Sequence, residues 1–156
     1  MSPDSAGKVS AIPSGYHTFT PYLYIDGADQ AIQFYGKAFH AKEVFRMHDD
    51  KGRVAHAEIQ IGDSRLMLSD EHQEIGAYGP RHYGGTTVGL LLYVEDVDAL
   101  HAQAVAAGAK EVRKPTDQPY GDRMSCVVDP FGHNWYLATH IEDVSAEEIK
   151  RRMQRK

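Results

Sequence analysis

The sequence has little of what several common classes of protein require. Its 156 residues include a single cysteine, Cys126, so no internal disulfide can form and a disulfide-stapled secreted domain is excluded. No stretch approaches the roughly 18 consecutive apolar residues of a membrane-spanning helix, and the N-terminal residues lack the apolar core of a signal peptide. The formal net charge of -5 leaves no broad basic surface for nucleic acid. We therefore expect a cytoplasmic protein that binds neither membranes nor nucleic acid.

The sequence does contain enough apolar material for one folded domain. Hydrophobic residues make up 42% of the chain and charged residues 25%, which is typical of a single globular domain with a sizeable core. Residues 1–15 are rich in Ser, Gly and Pro without periodicity, and we expect them to form a flexible arm. The domain should then occupy residues 16–140. Residues 141–156 should carry a C-terminal helix, because Ser145 to Glu148 form a capping-box pattern.

The first half of the domain, residues 18–71, predicts one strand, one helix and then three strands. The helix is indicated by apolar residues at helical spacing between Ala28 and Phe39. Turn residues such as Gly52 and Gly62 separate the strands that follow. The predicted strands cover residues 18–25, 42–47, 53–61 and 65–70. This order of elements is a βαβββ unit.

The second half, residues 86–140, repeats the same order after a connector rich in glycine. Tyr24-Ile25-Asp26 recurs as Tyr93-Val94-Glu95, and the run from Ala41 to Val44 recurs unchanged from Ala109 to Val112. The predicted helix covers residues 97–107, and the predicted strands cover 88–94, 111–114, 124–129 and 134–139. Duplication of one unit explains both the repeated letters and the repeated order. We therefore predict an α+β fold made of two βαβββ modules.

In three features the sequence resembles the vicinal oxygen chelate superfamily, which includes glyoxalase I, bleomycin-resistance proteins and extradiol dioxygenases. They are the paired modules, the pair Phe34-Tyr35 on the first helix, and the run Asp-Pro-Phe-Gly-His-Asn-Trp from Asp129 to Trp135. The run Tyr120 to Arg123 and the run Ala138-Thr139-His140 resemble the PhnB-like branch in particular. The resemblance covers roughly residues 18–140. It implies mixed sheets curved around a cavity, with helices outside, and a homodimer.

The resemblance also implies where a metal ion would be held. Metal-dependent members of the superfamily use four ligands, mostly His and Glu, from the first and fourth strands of each module. The matching positions in this chain hold Thr20, Met67, Gly89 and Tyr136. None of these residues is a good ligand for a hard or borderline divalent cation. We therefore expect no metal ion and no other cofactor.

A cavity bounded by those four positions would have an aromatic lining. Strand alternation turns the neighbouring tyrosines of the first and fifth strands toward the same face, which suits an aromatic or amphipathic small molecule. The alternative is that these side chains fill a closed interior. Arg123 is a further candidate, and the alternative is that it holds Asp122 or a strand end. The candidate ligand-binding residues are Thr20, Tyr22, Tyr24, Met67, Gly89, Tyr93, Arg123 and Tyr136.

One predicted strand carries the pattern of an acid–base site. Between Val54 and Ile61 the polar residues His56, Glu58 and Gln60 alternate with apolar ones, so that His56 and Glu58 share a face. They are the candidate catalytic pair, and the alternative is a hydrogen-bonded sheet face without a catalytic role.

Two functions therefore stay open. One is a metal-independent small-molecule binding protein, and the other is a lyase, isomerase or dioxygenase-like enzyme that acts on a small oxygen-rich substrate.

Overall fold

Each half of the chain forms one four-stranded sheet in the computed structural model, which describes residues 7–155. The first sheet has the strand order β1-β4-β3-β2, in which β1 runs parallel to β4 and the other neighbours are antiparallel. Its elements are β1 (Tyr22–Ile25), α1 (Ala28–Phe39), β2 (Lys42–His48), β3 (Val54–Ile61) and β4 (Ser64–Asp70).

The second sheet repeats this arrangement after the connector. Its order is β5-β8-β7-β6, again with one parallel pair between the first and the last strand of the module. The connector holds a 3-10 turn (Gln73–Ile75) and α2 (Pro80–Tyr83). The remaining elements are β5 (Gly89–Tyr93), α3 (Val97–Ala107), β6 (Lys110–Asp117), β7 (Asp122–Val128), β8 (Asn134–His140) and α4 (Ala146–Met153). The α+β fold of two βαβββ modules is confirmed.

Some element boundaries differ from the expected ones. The first strand begins at Tyr22 and not at residue 18, because Pro21 has no N–H to offer a sheet. The strand β6 continues to Asp117 through Pro115, which an edge strand tolerates, and its pairing with β7 shifts register on either side of Arg113. The last helix begins at Ala146, where Ser145 accepts a 3.2 Å hydrogen bond from the Glu148 N–H. It ends at Met153, before the basic end of the chain.

The ends of the predicted domain organisation fall partly outside the structure. Residues 7–15 of the predicted arm are exposed and form no helix or strand, whereas residues 1–6 and Lys156 lie outside the described residues. No helix between residues 7 and 155 is both long and apolar enough to cross a membrane.

Each module fixes the start of its helix with a side chain from its own last strand. The N–H groups of Gly27 and Ala28 donate to Asp70 Oδ1 over 3.3 and 2.8 Å. In the second module the Val97 N–H donates to Thr139 Oγ1 over 2.9 Å. Asp70 and Thr139 occupy equivalent positions of the repeat, so the duplication extends to the way in which the helices are anchored.

A buried carboxylate joins the two modules. Asp129, in the turn between β7 and β8, accepts hydrogen bonds on Oδ2 from the Tyr35 hydroxyl of α1 (2.6 Å) and from the Trp135 indole N–H (2.9 Å). Its other oxygen accepts the N–H groups of Phe131 (2.9 Å) and His133 (3.0 Å). Burial, reinforced by the charge of Asp129, raises the pKa of the Tyr35 phenol well above its usual value. The Asp-Pro-Phe-Gly-His-Asn-Trp run therefore has a structural role.

Both sheets bury one face against the helices and leave the other face open. In β1, Leu23 and Ile25 are buried beneath α1, while Tyr22 and Tyr24 remain 40% and 37% exposed on the opposite side. In β8, Trp135 is buried in the shared core. We call the side of each sheet that faces away from its helix the outer face.

Candidate functional site

The outer face of the first sheet is a continuous surface of aromatic, sulfur-containing and ionisable side chains. Tyr22 lies opposite Met67 in the β1–β4 pairing, and Met67 lies opposite Glu58 in the β3–β4 pairing. His56 is opposite Met47 of β2, and the rings of Tyr22 and Tyr24 are 5.3 Å apart. The two candidate catalytic residues thus lie beside three of the candidate ligand-binding residues.

Three ionisable side chains on this outer face form a hydrogen-bonded chain. The Tyr22 hydroxyl is 2.9 Å from His56 Nδ1, and His56 Nε2 is 3.1 Å from Glu58 Oε1. Contact with the Tyr16 hydroxyl and then with the His56 imidazole lowers the pKa of Glu58, so the carboxyl group is ionised at neutral pH. Burial raises the pKa of the Tyr22 phenol. We call this set the Tyr22–His56–Glu58 chain.

A cavity of about 540 Å³ opens between β1 and the connector. The connector approaches closely because residue 79 is glycine, and a Cβ there would lie 2.8 Å from the Tyr24 carbonyl oxygen. The same carbonyl is 3.3 Å from Nε2 of the buried His133, and burial lowers the pKa of that imidazole. The aromatic side chains that line the cavity are Phe19, Tyr22, Tyr24, Tyr78 and Tyr83.

The outer face of the second sheet carries the remaining candidates in a different setting. A Cβ on Gly89 would lie 2.5 Å from the Tyr136 ring, so the glycine leaves the space that this ring occupies. The Tyr93 hydroxyl donates to Asp122 Oδ2 over 2.8 Å, and the other oxygen of Asp122 is 2.7 Å from His140 Nδ1. These residues support one another rather than converge on the Tyr22–His56–Glu58 chain.

The structure divides the predicted ligand-binding set among several places. Thr20, Tyr22 and Tyr24 line the 540 Å³ cavity. Thr20 and Gly89 line a second cavity, of about 470 Å³, between the N-terminal segment and β5. Tyr93 lines a third, of about 770 Å³, beside α3. None of these three cavities within residues 7–155 is lined by Met67, Arg123 or Tyr136.

Arg123 forms ion pairs with carboxylates of its own module and lines none of these three cavities. Its Nε and Nη2 atoms donate to Asp98 of α3 over 2.7 and 2.9 Å, and Nη1 donates to Asp117 over 3.0 Å. In β7 the side chain of Arg123 points toward the helix, because Cys126, of the opposite parity, is paired with Tyr136 on the outer face. The guanidinium therefore ties the second sheet to its helix.

Three residues of the candidate site escaped the sequence patterns. Tyr78 and Tyr83 lie in the connector, where no strand or helix period points to them, although two tyrosines in so short a glycine-rich segment are a usable signal. Tyr16 lies in the irregular N-terminal segment, its hydroxyl lowers the pKa of Glu58, and the Arg65 guanidinium lies 4.9 Å from the centre of its ring. Their contacts join segments that are distant in sequence, which periodicity cannot reveal.

The residues at the superfamily's metal positions do not fit a divalent cation. Thr20 precedes β1, Met67 lies between Tyr22 and Glu58, and the ring of Tyr136 covers Gly89. Together they offer no carboxylate and no imidazole, the donors that such a cation prefers. Across residues 7–155, no group of three or more His, Cys, Asp or Glu side chains is placed to hold an ion.

Residues 16–137 match the family model described as the Glyoxalase/Bleomycin resistance protein/Dioxygenase superfamily. The chain therefore belongs to this superfamily, as the paired modules and the Asp129 to Trp135 run predict.

Among curated proteins, the chain is 39% identical over 137 residues to the uncharacterized protein Mb0911c of Mycobacterium bovis, covering 86% of this chain and 90% of that one. It is also 39% identical over 137 residues to the uncharacterized protein Rv0887c of Mycobacterium tuberculosis, covering 86% and 81%.

Solved structures share the fold. TioX from Micromonospora sp. ML1 superposes with a TM-score of 0.62 at 25% identity, covering 83% of this chain and all of that one (100%). The fosfomycin resistance protein FosX from Listeria monocytogenes has a TM-score of 0.64 at 14% identity, covering 85% and 97%. A PhnB protein from Bacillus cereus, described as a putative 3-demethylubiquinone-9 3-methyltransferase, has a TM-score of 0.60 at 19% identity, covering 79% and 99%.

Proposed function

We propose that this protein is a metal-independent binding protein for a neutral aromatic or amphipathic small molecule. The observation that carries the proposal is the cavity of about 540 Å³ between β1 and the connector, with its tyrosine-rich lining. Cavities that hold small molecules typically measure about 300–1,000 Å³ and combine an apolar lining with a few polar groups. Tyrosine supplies flat contact area with a polar tip at a low entropic cost.

The charge of the lining defines the ligand further. Among residues 7–155, no Asp, Glu, Lys or Arg side chain lines the cavity, and burial lowers the pKa of its imidazole, His133. A ligand with a carboxylate or a phosphate would lose its hydration there without gaining a counter-charge. The hydroxyl groups of Thr86 and Thr87 can satisfy one or two polar atoms. We therefore favour a planar, uncharged ligand.

Thermal shift with neutral bicyclic aromatics such as 2-naphthol tests this proposal. A ligand at one hundred times its Kd adds about 2.7 kcal/mol to the free energy of unfolding, which raises Tm by about 5 to 11 °C in a domain of this size. The double variant Tyr24→Ala/Tyr83→Ala should lose the shift, because it removes two walls of the cavity. Tyr120→Ala, which removes a phenol outside the cavity, is the matched control. A shift that survives in the double variant would contradict the proposal.

We also propose a homodimer in which a second copy covers exposed apolar side chains beside β1 and β5. Within residues 7–155, β1 pairs only with β4 and β5 only with β8. Large apolar side chains are exposed beside these edges, with Phe19 84% and Tyr93 64% accessible. Two copies related by a two-fold axis would bury these side chains in a shared interface. Light scattering should give twice the chain mass of 17.4 kDa, and a mass of 17.4 kDa at micromolar concentration would refute it.

Two finer assignments belong to the same proposal. The runs Tyr120 to Arg123 and Ala138-Thr139-His140 support placement in the PhnB-like branch. The single cysteine, buried and free, is consistent with a reducing compartment and supports a cytoplasmic location.

A further inference from the structure

The cavity of about 470 Å³ between the N-terminal segment and β5 has a largely aliphatic lining. Its size is within the range of cavities that hold small molecules. It shares residues 19–21, 88 and 90 with the 540 Å³ cavity, whereas Arg65 and Trp135 line only this one of the two. Such walls suit a flexible alkyl chain, which gains free energy by leaving water. The branched aliphatic side chains of the lining belong to Ile61, Leu66, Val88, Leu90, Leu91 and Leu92.

Arg65 gives this cavity a positive charge. Among residues 7–155, the lining includes this one arginine and no Lys, Asp or Glu. Gly15 also lines the cavity, and a Cβ on it would lie 2.6 Å from Arg65 Nη2. The guanidinium therefore lies at the wall itself and not only at the base of a side chain that points elsewhere.

The guanidinium of Arg65 is half-buried and has no carboxylate partner within the described part of the chain. Arg53, by contrast, forms ion pairs with two carboxylates. The Arg65 Nε donates over 3.3 Å to the neutral Gln60 Oε1, and the ring of Tyr16 lies 4.9 Å from its guanidinium carbon. Glu58 interacts with it through space, without an ion pair. The terminal nitrogens of Arg65 can therefore donate two parallel hydrogen bonds to the carboxylate of a ligand.

We propose that the 470 Å³ cavity is a second binding site, which takes a carboxylate with an unbranched alkyl chain. The carboxylate binds the Arg65 guanidinium, and the chain lies among the leucines of β5. A half-buried charge without a partner is costly, and the ligand supplies the missing counter-charge. This site does not depend on the proposed function of the 540 Å³ cavity, since the charge that it uses lies outside that lining.

Decanoate and decanol are the probes, because they share one alkyl chain and differ in charge. Calorimetry below the critical micelle concentration should show that decanol binds about 10- to 100-fold more weakly than decanoate, the effect of losing hydrogen bonds between charged groups. Trp135 is the only tryptophan of the chain and lines this cavity, so its fluorescence locates the ligand. Decanoate with bromine on its last carbon should quench that fluorescence, and unlabelled decanoate should restore it.

Substitutions separate the charge from the rest of the cavity. Arg65→Gln should weaken decanoate binding to the level of decanol and leave decanol binding unchanged. Arg113→Gln is the matched control, because Arg113 is exposed on β6 and lines none of the three cavities. Tyr24→Ala/Tyr83→Ala should bind decanoate as the wild type does, because both tyrosines line only the 540 Å³ cavity.

Weaker binding of decanoate in Arg65→Gln, with wild-type binding in Arg113→Gln, would support the second site. Equal affinity of the wild-type protein for decanoate and decanol, or no binding of decanoate, would overturn it, and neither result depends on the folding of a variant. Binding of the brominated acid without quenching of Trp135, or wild-type affinity in Arg65→Gln, would overturn it as well. None of these outcomes changes the test of the 540 Å³ cavity with 2-naphthol.

Discussion

Removing the Tyr35 hydroxyl should weaken the fold by a predictable amount. The hydroxyl donates a 2.6 Å hydrogen bond to the buried carboxylate of Asp129, and the Tyr35 ring is fully buried. Hydrogen bonds to charged groups contribute about 1.5–3 kcal/mol to stability. In Tyr35→Phe the carboxylate keeps its other three donors and the ring keeps its packing, so we expect a loss of about 2 kcal/mol in the free energy of unfolding. This corresponds to a fall in Tm of about 4 to 8 °C.

Urea denaturation followed by circular dichroism measures this loss as a change in midpoint at constant slope. Tyr83→Phe is the control, because its phenol is exposed on the connector and the change should stay within about 0.5 kcal/mol. Asp129→Ala should cost more than Tyr35→Phe, since it leaves four buried donors without an acceptor. If Tyr35→Phe behaved like Tyr83→Phe, Asp129 would not hold the modules together as argued.

Three other results are expected. The neighbouring Asp143 and Asp122 raise the pKa of His140, so the folded state favours its charged form. This stabilisation is complete below the unfolded pKa of about 6.5 and is lost as pH rises through the folded pKa. His140→Gln should therefore remove that part of the pH dependence of the free energy of unfolding. Gly89→Ala should cost about 1–3 kcal/mol through overlap with the Tyr136 ring, and adding Tyr136→Ala should recover part of it in a double-mutant cycle. Chelator should leave Tm unchanged, and elemental analysis that finds one equivalent of zinc, iron, manganese or nickel per chain would contradict the metal-independent assignment.

The fold could be predicted because its main determinants are local and repeated. Helical spacing in α1, hairpin turns in each module and the recurrence of Tyr24-Ile25-Asp26 all lie in contiguous sequence. The predicted ends of strands were wrong where a contact between distant parts of the sequence determines them. The strand β6 passes Pro115 because it lies at a sheet edge, and the order of strands is not visible in the sequence.

The candidate site was predictable only within single strands. Alternation in β3 placed His56 and Glu58 on one face, as the structure has them. It could not place Tyr22 beside His56, because that contact depends on β4 lying between β1 and β3. The side chain of Arg123 lies on the helix side of β7 and contacts Asp98 of α3, and the strand parity of β7 relative to Tyr136 would have predicted that side.

Contacts within each module and contacts between the two modules have opposite consequences for a chain that is divided in the connector. Asp70 and Thr139 anchor each helix from within its own module, so either module contains the means to begin its helix alone. The bond from Tyr35 to Asp129, and the packing of Phe39 on Trp135 with ring centres 4.7 Å apart, cross from one module to the other. Chains divided in the connector should therefore be poorly folded when produced separately and should reassemble on co-expression, each half supplying the surface that the other cannot bury.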